Sequence, residues 1–358
     1  MTAQTASRPA DLQLAEPWGG TGWTTDLGGP VHWVDYGGPD QSDDPAAGVP
    51  VVMVHGLGGS HLNWVGIAPE LAKRHHVYAI DQAGFGLTPG THRSTSVHAN
   101  ADLLARFVRE VVGRPAVLVG NSMGGMVSLL MTSAHPELVE GLVLIDPSIP
   151  VPRQRPDLAV SATFLLYATP VLGERYMELM TRRTSDRQRV QGVVNLCFAD
   201  PGRANPAVVD AGVVLAGRRR TVPGQEAAFL GAARSLMKVL AAPRRYQSLI
   251  RSIDKPVLLV HGEKDRLVSI AAARAVAADN PSWETLFLPG VGHTPQLEVP
   301  DEVRERVTAW LGDHDFAPAR ELVAGAPTPK APKSAKSAKA RAKAPSPRAP
   351  KPGATRRP

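Results

Sequence analysis

The chain has 358 residues, 43% of them hydrophobic and 20% charged, which is apolar material for one large α/β domain or two small ones. Its formal charge of +7 belongs to one end: residues 326–358 hold ten Lys or Arg and no Asp or Glu, so residues 1–325 carry −3. The lone Cys197 excludes an internal disulfide and fits a reducing compartment. The first twenty residues lack a signal-peptide pattern and no run of about 18 apolar residues exists, so a cytoplasmic location is expected.

In chain order, residues 1–29 read as an N-terminal extension. Apolar strand-like runs follow at "VHWVDY" (31–36), "VPVVMVHG" (49–56), "HVYAID" (76–81), "PAVLVG" (115–120) and "GLVLID" (141–146). Two more come late, "PVLLVHG" (256–262) and "ETLFLPG" (284–290). Helical segments lie between them. Residues 97–115 show an apolar face at Val97, Ala101, Leu104, Val108 and Val111, closed by Gly113 and Pro115; residues 300–313 behave similarly. Unbroken apolar strands alternating with helices predict an α/β fold, a mostly parallel sheet covered on both faces. Its two parts are expected at 30–147 and 251–313.

The alternation stops over residues 148–250. "ATFLLYATPVLGERYMELMTRR", "VVDAGVVLAGRRR" and "AAFLGAARSLMKVL" have helical spacing and no strand pair. This insert is expected to form a helical cap over the carboxyl ends of the strands, where ligands bind in such sheets. Beyond it, residues 314–358 form a Lys/Ala/Pro-rich tail that buries too little to offset chain entropy and is expected to be disordered. Ten positive charges without one aromatic residue over 326–358 predict weak, salt-sensitive contact with polyanions or anionic membranes.

"LVGNSMGGMVSLL" (118–130) carries the first chemical signal. A buried strand turns into a helix at Ser122, and Gly120 and Gly124 let neighbouring backbone pass. Such a corner exposes one hydroxyl beside the free N–H groups of a helix start, as a serine nucleophile requires. Two later strand ends supply partners: Asp265 in "LVHGEKDRLV" and His293 in "LPGVGHTPQLE". The order Ser122, Asp265, His293 assigns a nucleophile, an acid that orients imidazole, and a base. "VMVHGLGGSHLNW" (52–64) adds a glycine-rich loop in which the N–H of Leu57, with that of Met123, can form an oxyanion hole. His55 reads as a loop residue.

"HGLGG", "DQAGFGLT" (81–88), "GNSMGG", "GEKDRLV" and "GHTPQLE", in this order, resemble the α/β-hydrolase superfamily across about residues 30–312. The resemblance implies an eight-stranded sheet with a cap inserted after the sixth strand, here 148–250. It implies Ser122 as nucleophile, Asp265 as acid, His293 as base, and Leu57 and Met123 as oxyanion donors. Asp81 resembles a structural turn residue. Asp146, after "LVLI", stands where some members keep the acid. Serine at the elbow disfavours dehalogenases and epoxide hydrolases, which carry Asp there.

Three functions stay open. The favoured one is cleavage of a small-molecule carboxylic ester with an apolar group, which the apolar content of the insert suggests, through an acyl-enzyme. "GNSMGG" is similar to the elbow of carbon–carbon bond hydrolases of aromatic ring-cleavage products, although those usually place Trp after the histidine, where this chain has Thr294. The third is a non-catalytic binding protein on the same fold. "GLGGSH" (56–61) misses the dinucleotide-binding pattern because His61 replaces its last glycine. His75 and His76 would diverge on a strand, so neither a cofactor nor a metal is expected.

Overall fold

The computed structural model describes residues 6–7, 13–39, 48–91, 93–150, 163, 166–167, 169–222 and 224–316. The contacts expected of residues 326–358 lie outside these, as does the disorder expected over 314–358 beyond Phe316. Eight strands form one sheet: β1 (Thr21–Asp26), β2 (Pro30–Asp35), β3 (Gly48–Val54), β4 (His75–Ile80), β5 (Ala116–Asn121), β6 (Val139–Ile145), β7 (Val257–Gly262) and β8 (Glu284–Leu288). Their order is β1-β2-β4-β3-β5-β6-β7-β8. β1 and β2 run antiparallel to each other, β2 is antiparallel to β4, and the remaining neighbours are parallel.

β1 lies within residues 1–29, the stretch read as an N-terminal extension. Its sequence, "TGWTTD", buries only two of six residues. An antiparallel edge strand needs no continuous apolar run, which is why the pattern concealed it. The central strands show the opposite: on β3, Val52 and Val54 enter one core and Val51 and Met53 the other, and Leu118 against Val117 and Val119 does the same on β5. Period-two burial on both faces requires helices on both sides.

Those helices are α1 (Ala68–Leu71), α2 (Val97–Phe107), α3 (Met123–Ala134), α4 (Leu172–Arg183), α5 (Asp186–Cys197), α6 (Pro206–Arg219), α7 (Gln225–Leu240), α8 (Pro243–Arg251), α9 (Ile270–Asp279), α10 (Pro295–Glu298) and α11 (Pro300–Asp313). α2, α3 and α9 supply side chains to the first core, while α1 and α11, through Leu71, Val303, Val307 and Trp310, fill the second. The segment read as one helix over 97–115 narrows to α2 and then widens into a π-helical turn at Val108–Val112, which Gly113 ends at φ 74°. α4 to α8 lie between β6 and β7, in the stretch expected to be helical, and no strand occurs there among the described residues. No helix among them is long and apolar enough to cross a membrane.

Candidate active site

β5 ends at Asn121 and α3 begins at Met123, which leaves one residue for the corner. Ser122 fills it at φ 54° and ψ −118°, a conformation that costs a non-glycine residue about 1–3 kcal/mol. The backbone around it holds that strain: the Ser122 N–H donates to Ile145 O at 3.0 Å, and its carbonyl accepts from the Ser148 N–H at 2.9 Å. The flanking glycines are required sterically. A Cβ on Gly120 would sit 2.7 Å from Gly124 O, and one on Gly124 would collide with the Val54 carbonyl oxygen.

Ser122 is partly exposed, and its Oγ lies 3.4 Å from Ser148 Oγ. Among the described residues this is its hydrogen-bonding partner; no such bond joins it to His293. The N–H groups of Leu57, in the loop after β3, and of Met123, at the start of α3, have no acceptor among the described residues. Helix starts leave such donors unused, and an anion can take them.

Past β7 and β8 the chain brings Asp265 and His293 together. His293 Nδ1 donates to Asp265 Oδ2 at 2.7 Å, with both side chains almost wholly buried. Asp265 Oδ1 accepts the N–H groups of Leu267 at 2.7 Å and Val268 at 3.0 Å. Burial pushes the Asp265 carboxyl up, but the neighbouring His293 imidazole, its hydrogen bond, and His261 outweigh burial and hold it below the ordinary value. An ionised carboxylate only accepts, so His293 Nδ1 carries the proton of this hydrogen bond.

Several residues that sequence reasoning passed over fix this histidine. Asn121 Nδ2 donates to both Ile145 O (3.0 Å) and His293 O (3.1 Å), which ties the elbow to the histidine loop. The His293 N–H donates to Cys197 O at 2.6 Å, at the end of α5. Buried Glu298 accepts from Ala199 N (3.1 Å), Asp200 N (3.0 Å) and Gly292 N (2.8 Å), so the insert and the histidine loop share one carboxylate. Tyr246 Oη donates to Ser148 O at 3.1 Å. A charged residue inside the apolar run "PQLEVP" was the available signal for Glu298; Asn121 and Ser148 offered none beyond proximity to motifs.

Asp81 is fully buried. Its Oδ2 accepts from His32 Nδ1 (2.8 Å), His61 Nδ1 (2.9 Å) and the Leu87 N–H (2.8 Å), and its Oδ1 accepts from the His61 N–H (2.7 Å). Burial works against this charge, yet His61 and His32 hold the carboxyl well below its ordinary range. His55 is likewise internal: burial lowers it to about 4, Nδ1 donates to Gly56 O at 2.8 Å, and Nε2 accepts from the Gln82 N–H at 3.0 Å. His75 and His76 diverge, to Val49 O and to Asp35.

Among the described residues two clusters have donor atoms close enough for a metal, His32–His61–Asp81 and Asp146–Asp265–His293. In both, the histidine Nδ1 atoms are already committed to a carboxylate within the cluster. Hydrogen-bonded networks account for both arrangements.

Residues 49–300 match the α/β-hydrolase fold family. The chain belongs to that family, and it is an enzyme of the hydrolase class. It is 26% identical over 266 residues to a pimeloyl-[acyl-carrier protein] methyl ester esterase of Aromatoleum aromaticum, covering 70% of this chain and 94% of that one. It is also 26% identical over 274 residues to a 2-hydroxy-6-oxo-6-(2'-aminophenyl)hexa-2,4-dienoic acid hydrolase of Metapseudomonas resinovorans, covering 74% and 84%. Among solved structures, a thermophilic esterase from Thermogutta terrifontis matches with a TM-score of 0.60 at 23% identity, covering 81% and 96%.

Proposed function

We propose that this enzyme cleaves carboxylic esters through an acyl-enzyme formed on Ser122. The observation that carries the reading is the strained Ser122 corner beside two unengaged N–H groups, with a His293–Asp265 hydrogen bond of 2.7 Å at the same sheet edge. In the substrate complex Ser122 Oγ turns from Ser148 toward His293 Nε2, a tightening that resting sites commonly leave to the substrate. Nε2 takes the hydroxyl proton as Oγ attacks the ester carbonyl, and the Leu57 and Met123 N–H groups hold the oxyanion. The tetrahedral species collapses, the proton passes to the leaving alcohol, and water repeats the sequence to release the acid. Asp265 stabilises the imidazolium in both halves. Helices α4 to α8 act as a cap that presents apolar surface to the substrate.

Carbon–carbon bond cleavage of a ring-opened aromatic product is the second reading, supported by the Metapseudomonas resinovorans relative at the same identity as the esterase. One panel separates the two: nitrophenyl esters from acetate to palmitate beside one ring-cleavage product. The expected result is ester turnover together with fluorophosphonate labelling, both abolished by Ser122→Ala in a folded protein. Turnover of the ring-cleavage product alone would establish the second reading. Wild-type turnover in the Ser122→Ala variant would remove Ser122 from the chemistry.

A further inference from the structure

The segment leaving β6 places a second carboxyl against the His293–Asp265 pair. Asp146 is fully buried and, at φ 43°, is one of three non-glycine residues with positive φ among those described, Ser122 being another. Its N–H donates to Val260 O at 2.9 Å and its Oδ1 accepts the Gly262 N–H at 3.0 Å. Oδ2 has no donor among the described residues. A carboxyl oxygen of Asp146, a carboxyl oxygen of Asp265 and a His293 ring nitrogen all lie within 4.8 Å of one another. Two ionised carboxylates in a dry site at this range repel; one proton between them turns repulsion into a hydrogen bond.

We propose that Asp146 is a positioning residue for His293: its carboxyl keeps a proton and donates it to the Asp265 carboxylate, so the two side chains serve the imidazole as one acid with a single negative charge. This rests on Asp265 acting as the acid in the reading above.

The other groups around the pair leave that proton where it is. His261 Nε2 lies 3.5 Å from Asp146 Oδ1 and 3.7 Å from Asp265 Oδ2, but its N–H donates to Val268 O at 3.0 Å and burial favours the neutral ring. Burial and the two carboxyls push the Cys197 thiol up to about 12, so it stays neutral. Glu298 accepts from three backbone N–H groups and lies 3.5 Å from Arg203. Burial, then the charge and hydrogen bond of Asp265, hold the Asp146 carboxyl well above the ordinary carboxylate range.

The shared proton has a consequence that packing alone does not. When Asp265 becomes Asn, Asp146 no longer faces a carboxylate, ionises more readily, and supplies the missing charge near His293. The test is a double-mutant cycle on kcat/KM for a nitrophenyl ester, with thermal melts of every variant. Asp146→Asn, which keeps a donor, is expected to cost less than about tenfold alone and at least about thirtyfold more in the Asp265→Asn background. The residual activity of Asp265→Asn should rise with pH along a limb absent from the double variant. If Asp146→Asn melts early, Asp146→Ser takes its place in the cycle. The same factor in both backgrounds overturns the inference and leaves the Asp265 reading standing. So does a loss from Asp146→Asn as deep as that from Asp265→Asn, which would make Asp146 the charged acid. Full activity in Asp265→Asn/Asp146→Asn would instead sink the reading on which the inference rests.

Discussion

Replacing Asp146 by Asn should make the stability of this protein less sensitive to pH. A fully buried carboxyl beside the Asp265 carboxylate is held above its ordinary value of 3.8, by burial first and by the charge of Asp265 second. Above that pH the unfolded chain sheds the Asp146 proton while the folded protein keeps it. A raised folded-state value in an acid therefore costs stability as pH rises, until the native carboxyl itself ionises. One retained proton corresponds to about 1.4 kcal/mol per pH unit. An amide in its place has no proton to retain, so as pH rises from 4.5 the variant should gain on the wild type by up to about 1.4 kcal/mol per unit, for as long as the native carboxyl keeps its proton. Urea denaturation at three pH values and constant ionic strength reads this directly, since midpoints move while slopes stay. Parallel stability curves over that window would show that native Asp146 ionises like an unfolded aspartate, and would refute the argument.

Gly124→Ala should lose about 1–3 kcal/mol of stability, with a fall in kcat, because its Cβ meets the Val54 carbonyl oxygen and the elbow must shift; a normal melting temperature with full turnover would contradict this. Asp81→Asn should cost about 3 kcal/mol at neutral pH, since an amide cannot accept from His32, His61 and Leu87 at once. The depressed Asp81 carboxyl stabilises the fold above pH 3.8, a contribution lost as pH falls through its lower native value. Denaturation curves of Asp81→Asn and wild type should therefore converge on acidification.

Much of the fold was legible because its central strands are buried on both faces. Val51 to Val54 and Val117 to Val119 are apolar at every position, and β7 is buried throughout, so no register was needed to find them. β1 escaped because half-exposed "TGWTTD" carries no such run. α5 escaped for the converse reason, since among its residues only Val194 is buried; α8 escaped because its apolar stripe, Tyr246, Leu249 and Ile250, spans little more than one turn. Ser122, Asp265 and His293 were readable as strand-end residues in motif order. The neighbours that orient them were not, because Asn121, Ser148 and Glu298 act through contacts up to 172 residues apart in sequence, and spacing encodes nothing at that range. Asp146 was visible as an alternative to Asp265; that the fold sets the two side by side could not be read from either motif.

The ties between the insert and the histidine loop bear on how this scaffold can be recombined. His293 takes its backbone acceptor from Cys197, and Glu298 is shared between Gly292 and the pair Ala199–Asp200. The stretch 197–200 therefore works as a keystone of the sheet edge, although it is encoded within the insert between β6 and β7. A transplant that exchanges residues 148–250 wholesale would remove the bracket beneath the imidazole. The natural seams for grafting lie on either side of 197–200, which leaves this one turn with the host.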